Sequence, residues 1–182
     1  NFKGRDFDQL EAWKGEAYAE LDYADLAVWR HWVDYPVNLP QGSGAVRLWL
    51  GFGGKQLQTV TADVRLADVR LQLRSDLPEL DMIRLEGRIA GRRLDGGFEA
   101  ELKNLTLATR GGVDLPPIDL KLAWQEAAAN RPAQSRESAN GLDLAVMADL
   151  AAHLPLDDAT RARLAKHAPR GRVYDLKMDW KG

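Results

Sequence analysis

Cysteine is absent from the 182 residues, so no disulfide braces the fold and no thiolate can hold a metal. Charge of one sign is missing too. Twenty-five Lys and Arg stand against 27 Asp and Glu, a net of −2, and such a balance gives no global field to gather nucleic acid. Long apolar runs are lacking: nothing approaches the ~20 residues that span a bilayer as a helix. Histidine occurs only as His31, His153 and His167, without the HxxxH or HExxH spacing that places two rings on one metal. These read as surface or helix-end residues. Phosphate-loop chemistry is excluded as well, because "GFGGKQ" (51–56) has Trp49 where the first glycine belongs and Gln56 where Ser or Thr would meet magnesium. Asp76, Glu79 and Asp81 cluster around Pro78 as turn residues rather than as an acid pair. No catalytic constellation, metal site or cofactor motif emerges, and the expectation is a protein that is not an enzyme.

What is present is alternation. In "VRLQLRSDLPELDMIRLEGRI" (69–89), Val69, Leu71 and Leu73 oppose Arg70, Gln72 and Arg74, and Ile83, Leu85 and Ile89 oppose Arg84, Glu86 and Arg88. The same period of two marks 15–23, 44–52, 59–66, 96–109, 118–124 and 171–180, the signature of strands with one apolar and one polar face. The apolar parity switches at Ala67-Asp68 and again near Asn104, which predicts a bulge or tight turn at each. Helices are predicted over 24–33, 144–153 and 158–167, the last capped by Asp157, with Pro36, Pro155 and Pro169 as stops. Trp29 and Trp32, three apart on the first, read as core packing. Arg161, Arg163 and Lys166 on the third read as a solvated face ahead of a headgroup-binding one. The polar stretch 125–140 reads as a loose hairpin tip or flexible loop. A faint repeat relates "LDYADLAVW" from Leu21 to "LDLAVMADL" from Leu142. The fold class is therefore mainly β (α+β): a curved antiparallel sheet or β-groove with about three short helices at its edges or ends.

The apolar face poses the functional question. On the order of twenty inward side chains, at roughly 1.5–3 kcal/mol each when buried, would form a patch far beyond what a soluble monomer normally exposes. Three short helices offer about a dozen apolar side chains to cover it. Either the sheet curls on itself, or further protein covers it, or an apolar ligand does; packing as protein core ranks first.

Ordered blocks then point to a family. "ELDYADLAVWRHW", "LPQGSGAVRLWLGF", "VTADVRLADVRLQLRSDLPELDMIRLEGRI", "LTLATRGGVDLPPIDLKLAW" and "RLAKHAPRGRVYDLKMDW" together resemble the YhdP family, large AsmA-like envelope proteins of Gram-negative bacteria. The resemblance implies one internal fragment, 1–182, of a longer elongated periplasmic protein, anchored in the inner membrane by an N-terminal helix absent here. It implies a repeating β-groove that moves phospholipid between inner and outer membranes, with acyl chains as ligand, a possible outer-membrane partner, and no cofactor or nucleic acid. On that implication Val46, Leu48, Leu50, Val64, Val69, Leu71, Leu73, Ile83, Leu85, Ile89, Ile118, Leu120 and Leu122 line the groove, while Arg70, Arg74, Arg84 and Arg88 face the periplasm. The alternative is a periplasmic scaffold or adaptor whose apolar face is covered by protein.

Overall fold

A computed structural model describes residues 14–29, 37–54, 56–129 and 131–182. Eight strands follow one another as an open antiparallel meander: β1 (Lys14–Asp25), β2 (Asn38–Gly53), β3 (Gln56–Gln72), β4 (Leu80–Leu94), β5 (Gly97–Thr109), β6 (Asp114–Gln125), β7 (Gln134–Asp143) and β8 (Arg172–Lys181). Every strand pairs with its neighbours in sequence, as short connections dictate. Two of them are only two residues long: the one between Gly53 and Gln56, and Asp95-Gly96 between β4 and β5, with Gly96 at φ 71° and Leu94 opposite Gly97. That two-residue Asp-Gly loop is the one whose twist suits a hairpin.

The two ends of the sheet differ. At one end the connections carry no helix among the described residues. At the other, β1 runs into α1 (Leu26–Trp29), and β7 leads through α2 (Leu144–Leu150), a 3₁₀ turn (Ala151–His153) and α3 (Asp158–His167) into β8. Trp29 is half-buried on α1, whereas His31, Trp32 and the rest of the helix predicted to run to 33 lie outside the described residues. Helix starts are set by aspartates. Asp25 accepts from the Ala27 and Val28 amides at 3.0 and 3.3 Å, and Asp143 from Ala145 and Val146 at the same distances. Asp157 caps α3 through the Thr160 amide at 2.9 Å, as predicted. The faint repeat thus has a structural meaning in a different register. Asp25-Leu26-Ala27-Val28 corresponds to Asp143-Leu144-Ala145-Val146, three residues away from the Leu21/Leu142 alignment.

The helices seal only one end of the apolar face. Leu150 from α2 joins Leu66, Val69, Leu80, Met82, Leu107, Leu115 and Ile118 in the core, with Leu26, Val146 and Leu154 packed against it. Lengths explain the limit: the 17 residues of β3 span about 56 Å, whereas the seven of α2 cover about 10 Å. Among the described residues, no helix lies over the far half of the sheet.

A band of irregular residues separates the halves. The β1–β2 register shifts between Leu21 and Ala24. Gly44 in β2 and Gly87 in β4 sit at φ 148° and 147°; Asp68, Asn104 and Asp175 occupy the left-handed region at 51°, 49° and 51° in β3, β5 and β8. Side chains stitch the band laterally, Asn104 N donating to Asp119 Oδ1 at 2.8 Å and Asp119 N to Asn140 Oδ1 at 2.9 Å. Pro116 and Pro117 fall in the interrupted β5–β6 pairing between Leu115 and Ile118, where a missing N–H costs no ladder bond. We call this band the crease.

Both predicted parity switches belong to it. At Ala67-Asp68 β3 keeps register with β4, from Ala67↔Arg84 to Val69↔Met82, but its register with β2 shifts between Ser43↔Ala67 and Gln41↔Arg70, the predicted bulge, with Asp68 left-handed at φ 51°. Leu66 and Val69 are buried, with exposed Ala67 and Asp68 between them, and β4 mirrors this with exposed Ile83 and Arg84 between Met82 and Leu85. At Asn104 the register with β6 shifts, a bulge as predicted. The stretch 125–140 needs correction. Only 126–133 is a connection, with an Ala128↔Arg131 bridge. From Gln134 the chain is β7, hydrogen-bonded on both sides, because pairing with β6 and β8 outweighs the weak strand preference of its short polar side chains.

Candidate functional site

The open half of the sheet has two contrasting faces. One carries Ala19, Leu48, Ala62, Ile89, Leu102, Leu120, Ala139 and Leu176, each directly opposite the next across all eight strands. This row runs perpendicular to the strands without a polar member. Beside it toward the open end come Ala17, Leu50, Val60, Gly91, Ala100, Leu122, Glu137 and Met178. The rim is aromatic. Phe52, Phe98 and Trp180 are exposed, Trp180 to 61%, and the Phe98 and Trp124 rings lie 5.8 Å apart at 36°.

The thirteen residues assigned to a groove lining separate into three groups and one outlier, Ile83. Val69 and Ile118, at 0% and 4% exposure, belong to the core and have no surface to offer a ligand in this structure. Val46, Val64, Leu71, Leu85 and Leu120 are half-buried and pack against that core. Leu48, Leu50, Leu73 and Leu122 are half-buried, and Ile89 is exposed to 38%. Ile83 is exposed beside Arg84 at the parity switch, apart from the continuous row. The groove-lining assignment left out the alanines of the row, together with Leu102 and Leu176. The Asp95-Gly96 turn held the signal, since counting outward from it places Ile89 opposite Leu102.

The other face is a lattice of ion pairs between residues directly opposite each other. Arg47 donates to Glu20 at 2.7 Å, Arg88 to both oxygens of Asp63 at 2.5 and 2.8 Å, and Arg136 to Asp179 at 2.8 Å. Arg92 pairs with Glu99. Glu101 Oε1, shielded from solvent, lies 3.0 Å from Lys121 Nζ and 3.3 Å from Lys103 Nζ. These contacts shift the titrations. Hydrogen bonds from Arg88 hold Asp63 below the usual carboxylate range, and those from Tyr18 and Arg47 do the same for Glu20. The Tyr18 ring lies 5.3 Å from Trp49, and the Arg88 guanidinium sits 5.6 Å from the Trp49 centroid. Exposed pairs of this kind contribute little each, about 0.2–1 kcal/mol. Their larger effect is on register, because a one-residue slip would set every charge against the wrong face.

Along the crease this face opens into a concavity of about 840 Å³ lined by Glu20, Arg47, Asp63, Arg65, Glu86, Arg88 and Lys103. Arg88, expected to face the periplasm, is thus a lining residue. Acids and bases alternate there and largely neutralise one another. His153 Nδ1 lies 3.3 Å from the Pro78 carbonyl and His167 is exposed at the end of α3. Among the described residues no group of three or more His, Cys, Asp or Glu could hold a metal, and no helix is long and apolar enough to cross a membrane.

No curated relative and no solved structure matches the chain. A family model does, over residues 1–182, under the description YhdP protein. An eight-stranded meander with an unbroken apolar row therefore comes from a chain that belongs to the YhdP family.

Proposed function

We propose that this chain is a non-enzymatic segment of a lipid conduit in the cell envelope, and that its apolar face carries phospholipid acyl chains. Membership of the YhdP family suggests an AsmA-like envelope protein. The observation that carries the finer reading is the row from Ala19 to Leu176, apolar on every strand, which meets the core at Leu120 and Ala139 and elsewhere runs beyond the described helices. A tail laid along it crosses strand after strand and meets only hydrocarbon. Each CH₂ kept from water is worth about 0.8 kcal/mol, so transfer between bilayer and groove needs no chemical step. The headgroup stays outside, and passage depends little on its identity. In this reading the segment is periplasmic, the longer parent is anchored in the inner membrane, and an outer-membrane partner receives the lipid. Lining falls to Leu48, Leu50, Ile89, Leu120 and Leu122, whose side chains border the uncovered half.

A photo-crosslinking amino acid in the parent protein at Ile89 or Leu122, with Arg92 or Lys121 as opposite-face controls, tests this directly. Phospholipid adducts at the first two positions and not the others are expected. Protein adducts at Ile89 and Leu122 without lipid would overturn the conduit in favour of the scaffold reading, for which the exposed Phe52, Phe98 and Trp180 rim is the supporting observation.

A further inference from the structure

Charge in this chain is segregated in one place. Residues 161–172 contain Arg161, Arg163, Lys166, Arg170 and Arg172, with His167, and no acid. The remaining 170 residues hold 20 Lys and Arg against 27 acids, a net of −7, so this short segment at +5 stands against an acidic background. It forms most of α3 and the turn into β8. Arg161 is neutralised by Asp158, and Arg172 lies 3.9 Å from Asp143. Arg163, Lys166 and Arg170 are exposed and have no acidic partner among the described residues, unlike Arg47, Arg88, Arg92 and Arg136 on the sheet.

Folding does not account for these cations. α3 has no buried residue, and its half-buried positions, Thr160, Arg161 and Leu164, lie away from them. The helix dipole favours positive charge in the last turn, which covers Lys166 and His167; Arg163 precedes that turn and Arg170 follows it. The backbone holds the segment in place: Ala168 closes the helix in the left-handed region with its amide on Leu164 O, and the Leu144 amide donates to Gly171 O at 2.9 Å. A fixed, outward, acid-free row of cations is thus presented at the helix-sealed end of the sheet, separate from the apolar row.

We propose that the exposed cations of α3 and the α3–β8 turn form a docking surface for the face of an anionic phospholipid bilayer. Charge complementarity selects this occupant: spaced, mobile, singly charged phosphodiesters can rearrange beneath three cations that no carboxylate among the described residues neutralises. The exposed residues flanking the cations on α3 are alanines and His167, so contact is electrostatic and peripheral, with no large apolar wedge to insert. Docking of this kind is independent of whether the apolar face carries lipid.

Sedimentation of the purified chain with phosphatidylglycerol-containing vesicles at low ionic strength tests it, with pure phosphatidylcholine vesicles as the neutral arm. Binding to the anionic vesicles that weakens steeply with salt is expected. Each cation near such a surface contributes about fivefold in partitioning, so Arg163→Gln/Lys166→Gln/Arg170→Gln should lose about a hundredfold. Arg70→Gln/Arg84→Gln/Arg93→Gln removes the same net charge from other exposed positions and should retain at least tenfold more binding than the α3 triple. Independently of any variant, anionic vesicles should slow amide exchange across 161–172 and leave the Gly54 and Gly96 turns unchanged. No binding at low salt, equal binding to neutral vesicles, equal loss in both triple variants, unaltered exchange in 161–172, or tighter binding to a single-stranded oligonucleotide than to the vesicles would each overturn the proposal.

Discussion

Gly44→Ala tests whether the crease is a built feature of the sheet. Gly44 lies at φ 148°, and a Cβ placed there would sit 2.1 Å from the Arg65 carbonyl oxygen and 3.0 Å from Leu66 Cα. Both obstacles are backbone, so no side chain can swing away to make room. Holding a non-glycine residue in a sparsely populated conformation costs about 1–3 kcal/mol. Pushing β2 away from β3 beside the buried Leu66 adds a further ~1–3 kcal/mol of overpacking strain. At about 2–4 °C per kcal/mol for a domain of this size, a total of ~2–6 kcal/mol lowers the melting temperature by roughly 5–20 °C. Far-UV circular dichroism against temperature measures this. The comparison is Gly15→Ala, where an added Cβ meets nothing within 4 Å and φ is not in the left-handed range; that change should be neutral or slightly stabilising. Gly96→Ala, at φ 71° in open space, should fall between them. If the Gly44 and Gly15 variants melt together, the crease tolerates a side chain and the reasoning fails.

The remaining expectations concern caps, charge and coverage. Asp143→Ala should cost about 1 kcal/mol through the lost cap of α2, lowering the melting temperature more than Asp25→Ala, because α2 delivers Leu150 to the core. Asp63 is held below its ordinary value of 3.8 by the Arg88 hydrogen bonds. A carboxyl depressed on folding stabilises above its unfolded pKa and loses that contribution as pH falls through the folded one. Melting temperature should therefore decline below about pH 4, less steeply in Asp63→Asn; identical acid profiles would show that the pair adds nothing. Val69→Asp should abolish folding because it buries an unpaired charge, whereas Ile89→Asp should cost less than about 2 kcal/mol at a partly exposed site, as read by urea denaturation.

Strand content was legible because the alternation is strict and the special residues are chemically marked. Asp68 and Asn104 interrupt the pattern and carry the side chains that best tolerate left-handed backbone. Asp157 precedes a helical period and caps it. The segment 134–143 was not legible, since "QSRESANGLD" offers no β-branched or aromatic residue. Its strand exists because two neighbours supply hydrogen bonds, a cause that lies outside the segment. The six residues from Asn38 to Ser43 that extend β2 beyond the expected start at Gly44 were missed for a related reason. They pair with β3 through shifted registers at Gln41 and Ser43, so no simple period survives in them.

The candidate site was legible in parity and illegible in coverage, and the difference has a geometric cause. Val69 and Ile89 look alike in the sequence: a large aliphatic side chain next to an arginine, on the apolar face of a strand. One is sealed at 0% exposure and the other is exposed to 38%. Alternation records which side of a strand a residue occupies. It carries no information on how far along the strand a neighbouring helix reaches, and that distance decides between core and surface. Here the capping aspartates start α1 and α2 at the ends of β1 and β7, and the short helices exhaust their length near the crease. Residues beyond it keep the chemistry of a core, and no helix among the described residues covers them. That is the physical basis for locating function in the row from Ala19 to Leu176 rather than in the better-packed half of the same face.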